Sequence, residues 1–274
     1  SGNYIATNAD DMQFRWGTEA IQPDSRHPRY RSSYTATGGG SYMSNSLMDY
    51  MRGGFDGGYD IGGGVFIGDP RIMFYYYRQT NPTPGVGGAP PNEEVLECGL
   101  QNAPAHYAGY VFCGNPQGWW GRDHGNDNGI PPDGFLRTLA GVYPAGGKLD
   151  DWSYGGQQNG AGFEGNGITP ILLASWQDFL IAEAELVGGD DVAAKNAMFN
   201  GMAKSMDKVT NFYPRTDRFD GIMDFYFGGL AFVINDFYAR ISDEWDAADN
   251  VMNVLGMQNF VAQYGNGLDA YNCY

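Results

Sequence analysis

Basic side chains are scarce in this chain. Across 274 residues, Lys and Arg number 16 against 32 Asp and Glu, a formal net charge of −16. Such a surface repels phosphate backbones and anionic membranes, which argues against a nucleic-acid binder. It suits solubility, neutral or cationic ligands, and hard cations such as Ca²⁺ held by carboxylates. Cysteines number three, Cys98, Cys113 and Cys273, with no CxxC pair, so neither a zinc ribbon nor a thioredoxin-type site is expected. Cys98 and Cys113 are close enough to close a modest loop by a disulfide in an exported protein; two buried free thiols are the alternative. The three histidines, His27, His106 and His124, form no HExxH motif, and the P-loop and GxSxG nucleophile elbow are missing as well. GGGVFIG (62–68) runs into Asp69-Pro70 and is no dinucleotide fingerprint. The longest apolar run, around Ile168 to Leu173, is too short to span a bilayer. No signal peptide opens the chain, and Ser1-Gly2 reads as a processing scar or a fragment start.

What is present is apolar, aromatic and rich in glycine. Hydrophobic residues make up 42%, aromatics 15%, and glycines number 42. That pairing favours a loop-rich globular protein with aromatic surfaces. The chain divides near residue 168. In 1–167, Gly, Pro, Asn and Tyr dominate. SNSLMDYMRGG (44–54) reads as a short helix capped by Ser44 or Ser46 and ended by Gly53-Gly54. Asp69-Pro70 signals a turn. RIMFYYYRQ (71–79) reads as a strand, and NPTPGVGGAPPNEE (81–94) as a loop.

In 168–274 the apolar period becomes helical. The spacing predicts a helix that starts at Thr169 as N-cap with Pro170 in the first turn. It carries Leu172, Trp176, Phe179, Glu183 and Leu186 at three- and four-residue steps, and ends at Gly188-Gly189. A second helix follows, capped by Asp190 or Asp191, with Ala194, Met198, Met202, Met206 and Val209 as a core stripe. So short a connection makes an antiparallel hairpin. A further pair is expected over 221–240 and 243–263. The expected fold is mainly α: tetratricopeptide-like helical hairpins plus a long loop-rich region with few short strands. Glu183 and Glu185 do not share a helix face, which argues against a paired-carboxylate site there.

The stretch GWWGRDHGNDNGIPPDGF (118–135) concentrates candidate chemistry. Asp123, Asn126, Asp127, Asn128 and Asp133 are oxygen ligands at close spacing, as a Ca²⁺ loop needs. Gly125 at the third ligand position and the missing final Glu depart from an EF-hand. The candidate Ca²⁺ ligands are Asp123, Asn126, Asp127 and Asp133. A glycoside hydrolase would need two carboxyls a few ångströms apart, which Asp123, Asp127 and Asp133 could supply. A binding site would stack sugar rings on Trp119 and Trp120 while Arg122, Asp123, Asn126 or Asp133 bond hydroxyls, with Tyr107 and Tyr110 as aromatic neighbours. An ordered turn with both tryptophans in the core accounts for the same residues.

The order of segments resembles the SusD/RagB-like nutrient-binding outer-membrane lipoproteins of Bacteroidetes-type bacteria. YIATNADDMQFRW (4–16) is similar to the family's Asn-Asp-Asp stretch. SNSLMDYMRGG followed by GDPRIMFYYYRQ resembles its short helix and Asp-Pro-Arg passage. ITPILLASWQDFLIAEAEL resembles the helix ending in Ala-Glu-Ala, here Ala182-Glu183-Ala184. AMFNGMAKSMDKV and NVLGMQNFVAQYGNGLDAYNCY (253–274) follow in the family's order. Leu173 and Trp176 replace an early Arg and Glu, Asn259-Phe260 replaces Lys-Trp, and no Arg-Arg-Thr-Gly follows. The resemblance implies a SusD-like fold. It implies a piece of a longer protein, lipid-anchored at the cell surface through a missing N-terminus. It implies capture of oligosaccharides, or peptides, for a SusC-type TonB-dependent transporter, and no catalysis. The alternatives are the glycoside hydrolase above and a structural module that binds only the transporter.

Overall fold

The computed structural model describes residues 4–34, 42–53, 68–81, 117–122, 137–140, 149–155, 163–267 and Ala270. Among these residues the chain is mainly helical, with a few short strands. No described helix is long and apolar enough to cross a membrane.

The N-terminal segment forms strand β1 (Met12–Arg15) and the short helix α1 (Pro28–Ser33). Helix α2 (Asn45–Arg52) starts where Ser44 Oγ accepts from Leu47 N, and stops at Gly53. Gly53 has a φ of 117°, a left-handed conformation that glycine adopts without a Cβ penalty. Both ends are as the sequence indicates. The next stretch is not. RIMFYYYRQ was expected as one strand, but Ile72–Tyr75 is a helical turn, α3, and only Tyr76–Arg78 is a strand, β2. The cause lies in Asp69-Pro70. The turn there sends the Ile72 and Tyr75 amides back to Asp69 and Arg71 carbonyls before the chain can extend. Strand β2 then pairs antiparallel with β3 (Thr138–Ala140), with Tyr77 opposite Leu139.

The expected start of the first long helix also shifts. Ile168–Leu172 is strand β4, antiparallel to β1, with Arg15 opposite Ile168. Pro170 is tolerated because a two-stranded sheet is all edge. Thr169 is no N-cap; its hydroxyl accepts from Trp16 Nε1 at 2.9 Å. Helix α4 (Ala174–Gly188) begins four residues later than a Thr169 cap implies, after Leu173. Its cap comes from far away in sequence: Asp11 Oδ1 accepts from Ala174 N at 2.7 Å, while Asp11 Oδ2 pairs with Lys208 Nζ at 2.7 Å. Leu172, expected in the apolar stripe, is therefore a strand residue, and Glu183 is exposed.

Gly189 ends α4 and Asp190 caps α5 (Asp191–Asn211), its Oδ1 accepting from Ala193 N at 2.8 Å. The expected antiparallel hairpin forms, and Met198, Met202 and Met206 are buried against Trp176, Phe179 and Ala182. Beyond it, two expected helices resolve into three: α6 (Asp217–Phe227), α7 (Leu230–Ala247) and α8 (Val251–Ala262). Gly228-Gly229, both at positive φ, break the first of the expected pair. Helix α8 closes on α4, where Trp176 Nε1 donates to Ala262 O at 2.9 Å.

A buried arginine joins the two stretches that meet at residue 168. Arg71 is fully buried and Asp69 nearly so. Arg71 Nε donates to both Asp69 oxygens at 2.9 and 3.1 Å. Arg71 Nη1 donates to Ser205 Oγ on α5 at 2.9 Å, and Nη2 to Gln258 Oε1 on α8 at 3.4 Å. Gln258 Nε2 in turn donates to the Tyr50 hydroxyl on α2 at 3.0 Å. Burial works against the guanidinium charge, but Asp69 overrides it and holds the pKa above its ordinary value. Gly68 just before this turn is packed so tightly that a Cβ would sit 2.2 Å from Gly53 N. Around it, Met48, Met51, Ile72 and Phe74 share one core with Phe219, Met223, Phe227 and Val261.

Arg71→Met is expected to cost about 3–5 kcal/mol in urea unfolding, because it leaves Asp69 buried and unpaired. An Asp69→Leu, Arg71→Met double variant should lose less than that single variant. A larger loss in the double would show that the pair itself is the stabilising element.

His27 generates a pH prediction. Its Nδ1 accepts from Arg29 N at 3.1 Å and caps α1. Burial, helped by the Arg29 charge, lowers its pKa from 6.5 to about 4. Between these values the unfolded chain binds a proton that the folded chain refuses, so stability falls as pH drops from 6.5 toward about 4. Melting temperature followed over that window should fall less steeply in His27→Asn, which caps without titrating.

Candidate functional site

The segment 117–122 is stitched into the fold from both sides. Arg122 N donates to Met43 O at 2.9 Å, and Asn45 N donates to Arg122 O at 3.0 Å. Gly121 N donates to Asn45 Oδ1 at 2.8 Å, and Trp120 N to Thr138 Oγ1 at 3.1 Å. Trp119 and Trp120 are each only 3% exposed. Neither presents an open ring face, which corrects the expected stacking platform at these two residues. Trp119 belongs to the main core, its face turned to the Arg78 guanidinium at 4.6 Å. Arg122 is half-buried, its guanidinium 4.2 Å from the Tyr42 ring. Asp123, Asn126, Asp127, Asn128, Asp133, Tyr107, Tyr110, Cys98 and Cys113 lie outside the described residues. So does the expected Ca²⁺ set. Among the described residues no group of three His, Cys, Asp or Glu is arranged to hold a metal.

The structure instead exposes aromatic rings beside a second buried ion pair. Arg78 Nε donates to Asp150 Oδ2 at 2.6 Å, Nη2 to Oδ1 at 3.2 Å, and Nη1 to Gln117 O at 2.8 Å. The guanidinium sits 5.3 Å from the Tyr154 ring and 5.8 Å from the Trp152 ring, as well as over Trp119. Asp150 Oδ1 also accepts from Trp152 N at 3.1 Å, and Asp151 Oδ1 from Ser153 N at 3.1 Å. These acids turn the chain sharply. Trp152 has a φ of 56° and Tyr154 a φ of 50°, left-handed values that non-glycine residues rarely hold. Arg218 on α6 fixes the same turn, donating to Asp151 O at 2.8 Å and Trp152 O at 3.0 Å. The Tyr77 hydroxyl donates to Tyr154 O at 2.7 Å.

The strained turn delivers the half-buried rings of Trp152 and Tyr154 to the surface. Trp152 lies 5.1 Å from Tyr226, and Tyr226 lies 4.8 Å from Phe225. Phe225 is 81% exposed and Tyr226 46%. Polar groups edge this strip: Asn81, whose Oδ1 accepts from the Tyr154 hydroxyl at 3.1 Å, and Arg218. Burial raises the Tyr154 pKa, so its hydroxyl stays a neutral donor at physiological pH. Rings with open faces and hydrogen-bonding groups at their edges can hold a ligand with apolar faces and polar rims.

Sequence reasoning placed no site residue here. One signal was available. Phe225, Tyr226 and Phe227 are consecutive on a helix, and residues 100° apart cannot all face one core. Phe227 is buried, so its two neighbours face outward. The turn at 150–154 carries no comparable signal. No protein-family model matches the chain, and neither a curated protein nor a solved structure does.

The contrast between buried and exposed aromatics is measurable. Trp119→Ala should destabilise the fold by about 3–5 kcal/mol. Phe225→Ala should stay within about 0.5 kcal/mol of the parent in the same urea titration.

Proposed function

We propose that this chain is a binding protein, not an enzyme, and that it captures oligosaccharides for a SusC-type TonB-dependent transporter. Peptides are the second ligand class. The observation that carries the proposal is the strip of exposed Phe225 and Tyr226 against half-buried Trp152, edged by Asn81 and Arg218. Pyranose rings have C–H faces that stack on aromatic rings and equatorial hydroxyls that meet donors at the rim. The Trp152 end of the strip is held by the Asp150 and Arg218 hydrogen bonds, so less freedom is lost when a ligand docks.

The order of segments supports the same reading through the SusD/RagB resemblance, and with it a SusD-like fold. The α4–α5 hairpin, with α8 packed against it, supports the further proposal of a tetratricopeptide-like stack. The proposed location is the outer membrane at the cell surface, with a lipid anchor. Calcium at the 123–133 acids remains part of the proposal only as a shaping ion for that loop.

Calorimetric titration with a panel of neutral oligosaccharides and short peptides tests the reading. A bound oligosaccharide should lose roughly tenfold or more in affinity in a Trp152→Ala, Tyr226→Ala double variant, since each ring contributes about 0.5–1.5 kcal/mol beyond its area. Equal affinity in the double variant would remove this surface from recognition. Release of reducing sugar from any panel member would replace capture with hydrolysis.

A further inference from the structure

A concave site lies beside the C-terminal end of α5. A cavity of about 310 Å³ lies between the N-terminal segment, the entry to β4 and the end of α5. Its polar lining comes from Asn8, Arg15, Asn166, Asp207, Asn211 and Tyr213. It shares no residue with the Trp152 strip.

The hydrogen bonds within this lining are unequally distributed. Each Asp207 oxygen accepts once from an amide, Oδ2 from Asn8 Nδ2 at 2.9 Å and Oδ1 from Asn211 Nδ2 at 2.8 Å, and keeps a lone pair. Each amide gives Asp207 one N–H, Asn8 Nδ2 gives its other to Lys204 O at 3.0 Å, and both side-chain carbonyl oxygens remain as acceptors. Lys208, also on the wall, is committed to Asp11 Oδ2 and Gln13 Oε1. Besides the Asn166 amide and the second Asn211 N–H, two neighbouring donors are left over. The Arg15 guanidinium is exposed and makes no hydrogen bond or ion pair with a described residue. The Tyr213 hydroxyl oxygen is buried and has no hydrogen-bond partner among the described residues. A buried hydroxyl without a partner is unusual and points to an absent acceptor. The Tyr213 ring is held in place, stacked on Phe163 with centroids 4.0 Å apart and planes 9° apart. Burial raises the Tyr213 pKa to about 12 while the Arg15 charge opposes the rise, so the hydroxyl keeps its proton and the cation is near it.

The Arg15–Tyr213 pair thus supplies unspent donors, one of them charged. The Asn8–Asp207–Asn211 group supplies acceptors: the Asp207 lone pairs and the Asn8 and Asn211 carbonyls. A simple cation is disfavoured by Arg15. A simple anion leaves the acceptors unused and faces Asp207. The complement is a molecule with a carboxylate at one end and hydroxyls at the other. We propose that this cavity binds a hydroxy acid of hexuronate size, with its carboxylate at Arg15 and the Tyr213 hydroxyl and its ring hydroxyls at Asp207, Asn8 and Asn211.

Calorimetry on the whole 274-residue chain with D-galacturonate, D-galactose and acetate decides it. Galacturonate should bind roughly tenfold or more tightly than galactose, as a charge-assisted contact implies, and added salt should weaken it. Acetate should bind more weakly than galacturonate because it lacks the hydroxyls. Arg15→Ala should cost roughly tenfold toward galacturonate and little toward galactose. Arg15 is exposed on a strand edge, so the variant keeps its fold, and Tyr213→Phe keeps the ring stack while removing only the hydroxyl. Tyr213→Phe should weaken galacturonate several-fold by the same reasoning. Equal affinity for galactose and galacturonate overturns the proposal. So does acetate binding as tightly as galacturonate, full affinity in both variants, or no heat from galacturonate at millimolar concentration. None of these outcomes touches oligosaccharide capture at Trp152 and Tyr226, which rests on a separate surface.

Discussion

Arg71 is a charge with no access to water, and much of the molecule is arranged to make that tolerable. An isolated guanidinium in such a place would be prohibitively unfavourable, so each of its donors needs an acceptor. Asp69, Ser205 and Gln258 provide them, from the Asp-Pro turn, from α5 and from α8. Because these acceptors come from elements far apart in sequence, satisfying one side chain fixes where three elements lie. Arg240 on α7 adds a fourth tie, donating to Gly68 O at 2.6 Å beside the same turn. The tight approach of Gly68 to the end of α2 follows, since the backbone there can come close only without a Cβ. Apolar packing supplies most of the stabilisation in such a core, but it is non-directional. The arginine supplies the register.

A second ion pair works outward from the first. Arg71 begins the passage through α3 into β2, and Arg78 ends it. Arg78 and Asp150 are both buried, and Asp150 divides its oxygens between that guanidinium and the Trp152 amide. Left-handed backbone at Trp152 and Tyr154 costs about 1–2 kcal/mol per residue. The hydrogen bonds from Arg218 and Tyr77, with the Arg78 cation over the rings, offset that cost. Strain held by so many contacts marks a conformation that the fold enforces. The result is a set of rings presented to solvent by a backbone that has few other options.

Local features of the sequence translated directly into structure, and features decided by distant contacts did not. Ser44 and Gly53 bound α2 because a hydroxyl cap and a left-handed glycine act within one turn. The Met198, Met202 and Met206 stripe is buried because helical period is a local property. Thr169 and Pro170 mimicked a helix start equally well, yet the helix begins at Ala174. Its real cap is Asp11, 163 positions away, and no spacing rule reveals that partner. The same holds for the aromatic residues. Trp119 and Trp120 stand in a polar, Gly-rich stretch that reads equally as a binding platform or as a turn with both rings in the core, and Thr138, Asn45 and Met43 draw it inward. Trp152 sits among equally ordinary neighbours and is turned outward by Asp150 and Arg218. Composition suggested aromatic surfaces; helical period turned Phe225 and Tyr226 outward, while long-range hydrogen bonds decided the place of Trp119 and Trp120.

The overall acidity of the chain opposes a cavity that takes a carboxylate only until length scale is considered. A net charge of −16 sets the far field, which slows the approach of anions and disfavours extended polyanions. At physiological salt that field decays over about 8 Å, so a bound group responds chiefly to the few charges that touch it. In the cavity those charges are unevenly matched. Lys208 is matched by Asp11, and Asp207 is solvated by two amides, while Arg15 has no described partner. Local donors then outweigh the distant acids for a small ligand and not for a long one. An acidic surface and an acid-binding cleft are compatible on these terms. The combination selects for a single carboxylate on a hydroxylated body and against a charged polymer lying across the surface.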